Sequence, residues 1–409
     1  DAQSFAIDYD LNRPFFEQYA DLFKKVPRLS LMMLNSVRSE YTNGAAENKD
    51  CYLIFAAENC EDCLYSWLIQ RCKNSSDCAV IYDSELCYEC IDTRKSFKCF
   101  YSERLQECVD VLFSFDMKNS QNCIFCSNGR NLNFATFNQP CTKEEFERKK
   151  SEILSSYENI EKAKEEYEKV RSSAIVKNAN SIKCKNVTGD YIFNCHDGDR
   201  VFDAENTKNS SYLGVAEDVI DSQDCDYLYF KPERVYNVMS TLQSTNCLSS
   251  ASIFYSSNIE YSDNCHNTSN CFGCIGLKKK NYCILNKEYS KEEYEKIKNS
   301  IVAEIKKEGI YGEFLPAYLS AFGYNETVAQ DRFPISKEEA ENKGFNWQNE
   351  ATGTFGKETI AENEMPQTAG EVTEKILDEI LICKDCKKNF RITKAEFDFY
   401  KRMNLPLPN

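Results

Sequence analysis

The sequence CYLIFAAENCEDCLYSWLIQRCKNSSDCAVIY occupies residues 51–82 and combines short β-prone runs with regularly spaced cysteines. Runs such as CYLIF and CAVIY are rich in β-branched and aromatic residues, and polar clusters such as AENCEDC and KNSSDC separate them. A repeat of nine residues, or of eighteen when two runs form one coil, is typical of solenoids. We therefore predict a β-solenoid. The nine-residue spacing relates Cys51 to Cys60, Cys63 to Cys72, Cys78 to Cys87, Cys90 to Cys99 and Cys99 to Cys108.

The repeated cysteines are expected to point into the core of this solenoid. Cys is small, weakly polar and among the most buried residue types, so it can stack at inward corners where a larger side chain would collide with its neighbours. Asn directly before Cys suits a corner, because Asn tolerates left-handed backbone geometry and bonds locally to the main chain. The residues of this kind are Asn59, Asn122, Asn194, Asn246, Asn264 and Asn270.

The chain contains an internal duplication. NSQNCIFC at residues 119–126 recurs as NTSNCFGC at residues 267–274. At the same offset, TKEEFE from Thr142 recurs as SKEEYE from Ser290, and both are capping boxes that predict the start of a helix. We therefore predict a mainly β protein with helical additions, in which two duplicated Cys-rich β-solenoid halves are each followed by an amphipathic helix.

The first of these helices is predicted to be long. Apolar residues recur mostly at intervals of three and four from Phe146 to Ala174, without an intervening Gly or Pro. This pattern predicts one amphipathic helix of roughly 30 residues within residues 142–178. One interpretation is that its apolar stripe packs along its own solenoid half. The alternative is a homodimer through residues 142–175, because a stripe near the period of about 3.5 residues can pair with a second copy.

The remaining segments complete the predicted map of the chain. An amphipathic helix over residues 11–25 is expected to cap the end of the first solenoid half. The predicted organisation is a helical cap at 1–30, a first solenoid half at 31–141, a long helix at 142–178, a second solenoid half at 179–289, a helix and aromatic wrap at 290–345, a linker at 346–371 and a partial zinc ribbon at 372–409.

Composition and charge exclude several classes of protein. The 409 residues include 65 acidic and 50 basic side chains, and the net charge of -15 repels nucleic-acid backbones over most of the surface. Only two histidines, His196 and His266, are present, which disfavours His-based triads and multi-His metal sites. The 22 cysteines are sparser than in small disulfide scaffolds, so we expect reduced thiols and a cytoplasmic location. No apolar stretch is long enough to predict a membrane span.

The CxxC pair formed by Cys383 and Cys386 is the candidate metal site. It lies outside the repeat, in ICKDCKKNFRI, where four basic residues would stabilise thiolates. A zinc ribbon contains such a knuckle together with a second pair, so we predict zinc bound by Cys383 and Cys386, with the remaining ligands outside residues 1–409. The alternative is a two-cysteine turn without metal.

Four further CxxC pairs belong to the repeat. The pairs Cys60/Cys63 and Cys87/Cys90 could formally make a four-thiolate zinc site, although the geometry of the repeat already explains their spacing. A redox role is disfavoured, because none of the pairs opens a helix after a buried strand. These pairs are Cys60/Cys63, Cys87/Cys90, Cys123/Cys126 and Cys271/Cys274.

Two NCH triplets place Cys195 beside His196 and Cys265 beside His266. Neighbouring residues of a strand point to opposite faces, which disfavours proton transfer between thiol and imidazole. Neither a GxGxxG motif nor a P-loop is present. We therefore nominate no catalytic and no cofactor-binding residue.

Several longer segments resemble an uncharacterised Cys-rich, zinc-ribbon-containing protein family that is common in candidate-phylum (Patescibacteria-type) bacteria. The resemblance covers nearly the whole chain, although residues 187–248 contain fewer cysteines. It implies zinc at Cys383 and Cys386, with a second Cys pair after the LPLP segment, and it implies no established activity. The segments that carry it are FFEQY from Phe15, VPRLSLMMLNS from Val26, NCEDCLYS at 59–66, SELCYECID at 84–92, NCFGCIGLKKKNYCILNKEYSKEEYEKI at 270–297, YGEFLPAYLSAFGYNETVAQDRFPISKEEA at 311–340, and CKDC with FRITKAEFDFYKRMNLPLP within 383–408.

The favoured function is that of a non-enzymatic scaffold or binding protein. Solenoids present long surfaces to protein partners or to further copies of themselves, and an acidic surface favours basic partners. One alternative is a nucleic-acid-associated protein that acts through terminal zinc ribbons. Another is an enzyme with a carboxylate groove on the solenoid.

Overall fold

The computed structural model describes residues 1–349, 353–361 and 364–408, and within them the chain is mainly β with a few helices, as predicted. The chain divides into two compact units. Unit 1 contains the described residues of Asp1–Arg28 and Lys177–Ala351, and unit 2 contains those of Leu29–Val176 and Thr352–Asn409. Across the described ranges, none of the helices combines the length and the apolar character that crossing a bilayer requires.

Unit 2 is built on a 12-stranded sheet in which strands pair mostly in chain order. Its strands are β1 Met33–Leu34, β2 Asn43–Ala46, β3 Phe55–Glu58, β4 Trp67–Gln70, β5 Ala79–Tyr82, β6 Tyr88–Arg94, β7 Phe100–Gln106, β8 Val109–Leu112, β9 Phe115–Lys118, β10 Gln121–Ile124, β11 Asn133–Thr136 and β12 Gln139–Pro140. A separate hairpin pairs β24 Leu381–Ile382 with β25 Asn389–Phe390.

Unit 1 is built on an 11-stranded sheet with the strands strictly in chain order. These strands are β13 Ser181–Ile182, β14 Lys185–Phe193, β15 His196–Glu205, β16 Ser211–Glu217, β17 Gln223–Tyr229, β18 Glu233–Leu242, β19 Thr245–Phe254, β20 Ser257–Glu260, β21 Ser269–Phe272, β22 Asn281–Ile284 and β23 Lys287–Glu288.

Helices lie before, after and between these sheets in the sequence. The α-helices are α1 Phe15–Lys25, α2 Lys143–Leu154, α3 Tyr157–Ser173, α4 Lys291–Lys307, α5 Val328–Arg332, α6 Lys337–Asn342 and α7 Lys394–Met403. Short 3-10 helices occupy Ala2–Phe5, Ala317–Leu319, Tyr324–Glu326 and Glu374–Asp378.

Both sheets are parallel ladders whose repeat is twelve residues. Phe55 pairs with Trp67, and Trp67 pairs with Ala79 in the next strand. The predicted nine-residue period was therefore wrong. Twelve residues contain four inward positions, and a spacing of nine joins a residue to the third inward position that follows it. Unit 1 departs from the register twice, because Lys185 pairs with His196 and Gln223 pairs with Tyr236.

The backbone turns at three-residue intervals. Every third residue from Asn35 to Phe137 has a positive φ. The six Asn residues expected at corners all have positive φ, which confirms that prediction. Bulky residues occupy the same positions, among them Val80 with φ of 58° and Phe113 with φ of 47°. A left-handed conformation costs such a residue about 1–2 kcal/mol, which ladder hydrogen bonds and side-chain stacking must offset.

Inward positions follow directly after the left-handed ones. Every third residue from Ser39 to Gly129 is buried, and the repeat cysteines from Cys51 to Cys126 are among these residues. They form no disulfide in the described part of the chain, so the prediction of inward-facing free thiols is confirmed. Each inward thiol lies near main-chain oxygens: Cys72 Sγ is 3.2 Å from the carbonyl of Gln70 and 3.4 Å from that of Ile81.

The two ladders end alike, as the duplication predicts. The last parallel strand of each ladder turns back into a short antiparallel strand, β12 in unit 2 and β23 in unit 1. A helix follows, and its capping box is formed as predicted: Thr142 and Ser290 each accept a hydrogen bond from the backbone N–H of the Glu three residues later. Antiparallel closure and a capped helix therefore terminate both ladders at the same point of the repeat.

The helix predicted over residues 142–178 is broken, so the expectation of one continuous helix was wrong. Ser156 has extended backbone, with φ of -152°, and its side chain accepts a hydrogen bond from the N–H of Asn159 at the start of α3. The apolar stripe packs on the ladder of its own unit, where Phe146, Ile160 and Tyr167 are buried. The stripe is therefore not available for the alternative homodimer through residues 142–175.

Two other segments differ from expectation. Helix α1 does not cover the end of the first ladder; Phe15 and Tyr19 pack with Tyr261 and Phe272 inside unit 1. Part of the predicted linker at 346–371 is packed, because Met365 lies in the core of unit 2, while residues 350–352 and 362–363 lie outside the described residues. Within the segment predicted as helix and aromatic wrap, α6 forms a further short helix behind Ser336, whose side chain accepts a hydrogen bond from the N–H of Glu339.

Candidate functional site

The β24–β25 hairpin places Cys383 and Cys386 at its tip. The N–H of Cys383 donates to the carbonyl of Lys388 at 2.9 Å, and the N–H of Lys387 donates to the carbonyl of Cys383 at 3.0 Å. Lys387 closes the turn with φ of 58°. Cys383 is half-buried and Cys386 is exposed. The local sequence therefore folds into the tight knuckle that a metal-binding CxxC pair requires.

The main chain of the turn favours the thiolate of Cys383. Hydrogen bonds from the backbone N–H groups of Cys386 and then of Asp385 lower the pKa of the Cys383 thiol from its ordinary value. The thiolate is the form that binds metals and acts as a nucleophile. This thiol is therefore prepared for ionisation, and unlike the buried thiols of the repeat pairs it is partly accessible.

The knuckle presents two thiols as candidate metal ligands. A closed structural zinc site needs four, usually from Cys and His. Among residues 1–349, 353–361 and 364–408, no three His, Cys, Asp or Glu side chains come together as a metal-binding group. The donor set of Cys383 and Cys386 thus fits one half of a zinc ribbon, and the other half is not contributed by the described residues.

The repeat CxxC pairs have a different environment. Their members occupy consecutive inward positions and are buried. Burial raises the pKa of the Cys90 thiol, whereas hydrogen bonds from the thiols of Cys63 and Cys72 lower the pKa of Cys60 to about 4. Their thiol groups also lie close to main-chain carbonyls, as Cys126 does to Ile124. These thiols are therefore structural side chains of the core that are shielded from solvent, as core cysteines usually are.

The NCH triplets place their two side chains in different surroundings. Cys265 is buried in the core of unit 1. The ring of His266 instead stacks near Phe254, with centroids 4.8 Å apart, and its Nε2 lies 2.8 Å from Oδ1 of Asn264. Burial lowers the pKa of His266. A neutral imidazole held by an amide and a ring has the character of a packing residue.

A cavity of about 260 Å³ adjoins the knuckle, and no sequence motif indicates it. Its charges are largely compensated within the wall: Nζ of Lys164 lies 3.0 Å from Oε2 of Glu89 and 3.5 Å from Oε1 of Glu161. The cavity is lined by Tyr88, Glu89, Tyr101, Tyr157, Ile160, Glu161, Lys164, Lys384, Asp385, Pro406, Leu407 and Pro408.

Tyr88 of the cavity wall belongs to a polar cluster that holds α7 on the ladder, with the buried carboxyl group of Glu396 and the nearby charge of Asp77. Tyr65 donates a hydrogen bond to Oε2 of Glu396 at 2.9 Å, and the hydroxyl oxygens of Tyr88 and Tyr400 lie 3.1 Å apart. Burial raises the pKa of Glu396 to about 7 and that of Asp77 to about 6. Thr393 and Glu396 form a capping box, and the spacing of the two residues is a sequence signal for it. The burial of Glu396 has no such signal in the sequence.

Comparisons with known proteins add little. No family model and no curated protein matches the chain. Among solved structures, the chain is similar to a candidate acetyltransferase from Desulfovibrio desulfuricans, with 10% sequence identity, coverage of 67% of this chain and 77% of that chain, and a TM-score of 0.14. At that TM-score the similarity supports neither a fold nor an activity for this chain.

Proposed function

We propose that the protein is a non-enzymatic scaffold or binding protein in which each parallel ladder forms a β-solenoid and presents its outer faces to protein partners. The twelve-residue register is the observation that supports this proposal most directly. Side chains twelve residues apart lie side by side, so each outward position generates a straight row along the ladder. Such rows are suited to contact with another protein surface.

One row of unit 2 is apolar and partly exposed. Phe55 pairs with Trp67, Trp67 with Ala79, and Ala79 with Ile91. The exposed fractions are 39% for Phe55, 36% for Trp67 and 49% for Ile91. Aromatic residues are enriched in protein interfaces and contribute strongly to binding energy. We call Phe55, Trp67, Ala79 and Ile91 the apolar row and propose it as a contact surface.

The ladder of unit 1 supports a basic partner. Glu205 and Glu217 lie side by side in register, and Asp218 follows directly. Burial, and then the neighbouring charges of Glu205 and Asp218, raise the pKa of Glu217. Like charges at adjacent positions repel each other unless a cation is bound between them. A positively charged partner surface would relieve this repulsion.

Zinc at the hairpin is part of the proposal. Cys383 and Cys386 would hold the ion, and two further ligands would come from outside the described residues. A bound zinc would link the hairpin tip to whichever segment supplies those ligands. The lowered pKa of the Cys383 thiol supports this assignment.

The proposal is tested by capture of partners on the immobilised chain. Phe55→Ser with Trp67→Ser disrupts the apolar row, and Phe97→Ser with Val109→Ser is the matched control, because those two residues are also exposed and in register. Specific partners are those that an excess of soluble chain displaces from the immobilised chain. We expect the first variant to capture at least tenfold less of these partners, and the second variant to retain them. A chain that captures nothing above background and does not associate with itself would show that the proposed function is wrong.

A further inference from the structure

The first rung of the unit 2 ladder, residues 31–42, has a free edge. Strand β1 pairs with β2 on one side and is the terminal strand of the 12-stranded sheet on the other. We call residues 31–42 the open rung. An unpaired parallel edge offers a row of main-chain donors and acceptors to another strand. Nothing in the described part of unit 2 pairs with that side of β1.

The side chains of the open rung do not protect this edge. Natural proteins usually protect edges with charged residues, prolines or a covering element. Here the exposed side chains are mostly apolar, with exposed fractions of 61% for Leu34 and 60% for Tyr41. The full set of large exposed apolar residues in the rung is Leu31, Met33, Leu34, Val37 and Tyr41.

The opposite end of the same ladder is closed. There Ala135 of β11 pairs with Pro140 of the antiparallel strand β12, and α2 follows behind its capping box. A proline in the last strand removes a donor from the outer edge. The ladder thus has one protected end and one unprotected end, and further growth of the sheet is possible only at the open rung.

The chain that precedes the open rung does not supply another rung. Residues Asp1–Arg28 belong to unit 1, and Phe15, Tyr19 and Leu22 of α1 are buried in its core. The strand that completes this edge must therefore come from elsewhere.

The charge of the rung favours a second copy of this chain. Arg38 and Glu40 are the only charged residues among residues 31–42, and they cancel, although the whole chain has a net charge of -15. Two copies can therefore meet at this rung without local repulsion. A two-fold contact places the same apolar patch on both sides, which makes the interface self-complementary.

We propose that the open rungs of two chains pair edge to edge and extend the sheet across a two-fold axis, with Met33, Leu34 and Val37 buried at the contact. This inference rests on the proposed scaffold function and names its partner as a second copy. The overall negative charge opposes association at long range, so added salt should strengthen the dimer by screening.

Sedimentation velocity between about 1 and 100 µM, at low salt and at about 0.5 M salt, tests the proposal. We expect a dimer whose dissociation constant falls at high salt and rises at least tenfold in Leu34→Lys. Val109→Lys is the matched control, because Val109 is also exposed but lies on neither the open rung nor the apolar row, and it should leave the dissociation constant within twofold.

Hydrogen exchange of residues 31–42 provides a measurement on the unmodified chain. Their amides should exchange at least tenfold more slowly at the highest concentration than at the lowest. A monomer at every concentration, or a dimer that Leu34→Lys leaves intact, would overturn the edge contact. If partner capture through the apolar row persists in that case, the proposed function stands; a chain that neither captures partners nor associates with itself would show that both are wrong.

Discussion

The side chain of Ser66 accepts a hydrogen bond from the backbone N–H of Cys78 at 3.1 Å and donates one to the carbonyl of Leu64 at 2.7 Å. Ser75 serves the N–H of Cys87 in the same way. Inward Ser residues thus satisfy amides that the parallel pairing of the ladder leaves without a carbonyl partner. This explains why Ser occurs at inward positions beside Cys and aliphatic residues.

Replacing Ser66 by Ala should destabilise unit 2. The variant leaves the buried N–H of Cys78 without an acceptor, which costs about 1–3 kcal/mol in the free energy of unfolding. Ser66→Cys should cost less, because inward cysteines also lie against main-chain groups. Urea unfolding followed by circular dichroism measures both values. Ser127→Ala, at a half-exposed position, is the control. If Ser66→Ala lowers the free energy of unfolding no more than the control does, the hydrogen bond from the N–H of Cys78 to Ser66 does not stabilise the ladder.

The ion pair of Asp110 and Lys150 should anchor α2 to the ladder. Both side chains are almost completely buried, and burial lowers the pKa of Lys150. Lys150→Met leaves the Asp110 carboxylate without a partner, and we expect a loss of about 3–5 kcal/mol in the free energy of unfolding. The double variant with Asp110→Asn should recover most of this loss.

An exposed pair provides the comparison for that experiment. Lys162→Met breaks the contact with Glu158, in which both side chains are mainly exposed, and should change the free energy of unfolding by less than about 1 kcal/mol. Equal effects of Lys150→Met and Lys162→Met would show that burial of the first pair has no energetic consequence.

The attachment of α7 should weaken as the pH rises. The pKa of Glu396 is about 7 in the folded chain, because burial outweighs the hydrogen bond from Tyr65, whereas an exposed glutamate has a pKa near 4.5. A raised folded pKa means that stability is fully present below about pH 4.5 and is lost as the pH rises through about 7. Asp77, with a pKa of about 6, acts in the same direction. The loss is on the order of 3 kcal/mol.

Hydrogen exchange of residues 394–403 between pH 4.5 and 8, corrected for the intrinsic rate, measures this dependence. Glu396→Gln should reduce the slope, leaving the part due to Asp77. Glu293 occupies the same position of the capping box in α4, but its hydrogen bonds with Ser290 lower its pKa. Glu293→Gln should therefore leave the exchange of residues 394–403 unchanged. A pH-independent attachment in the native chain would refute the assignment.

Thiol reactivity should separate the hairpin cysteines from the repeat cysteines. Cys383 and Cys386 are accessible, and the turn amides lower the pKa of the Cys383 thiol, so both should react rapidly with an aromatic disulfide reagent in metal-free buffer. The buried thiols should react only on unfolding. The double variant Cys383→Ser with Cys386→Ser should abolish this rapid phase and leave only a slower reaction at the half-buried Cys141 and Cys184.

Zinc content is the companion measurement. Elemental analysis of the native chain should find about one zinc per chain, lost together with the rapid thiol phase when Cys383 and Cys386 are replaced by Ser. Zinc that persists in this double variant would assign the metal to the cysteines of the repeat instead.

Sequence reasoning identified the strands, the inward cysteines and the duplication, but it assigned the wrong repeat. The nine-residue spacing of Cys51 and Cys60 was conspicuous, whereas the true repeat relates Cys60 to Cys72. Cys, Ser and Thr exchange freely at inward positions, so Ser66 and Ser75 concealed a period of three from a search based on cysteine alone.

Local and distant effects account for the other differences. The break before α3 has a local signal, because Ser156 is a residue type that caps helices and accepts a hydrogen bond from the N–H of Asn159. The apolar stripe continues across this break, and it is the stripe that predicted one helix. The surroundings of Glu396 had no local signal, because Tyr65 lies 331 residues away in the sequence. A carboxyl group on an amphipathic helix predicts solvent exposure unless the packing partner is known.

The three-residue spacing of the turns restricts how such a gene can evolve. Loss of one codon within residues 35–137 would rotate every later side chain out of its column, exposing thiols and burying charges, so tolerated length changes in unit 2 should come in multiples of twelve. In unit 1 the repeat is one residue longer beside Pro232, where the N–H of Val235 donates to Ser222, thirteen residues earlier in the chain. Insertions among relatives should concentrate there.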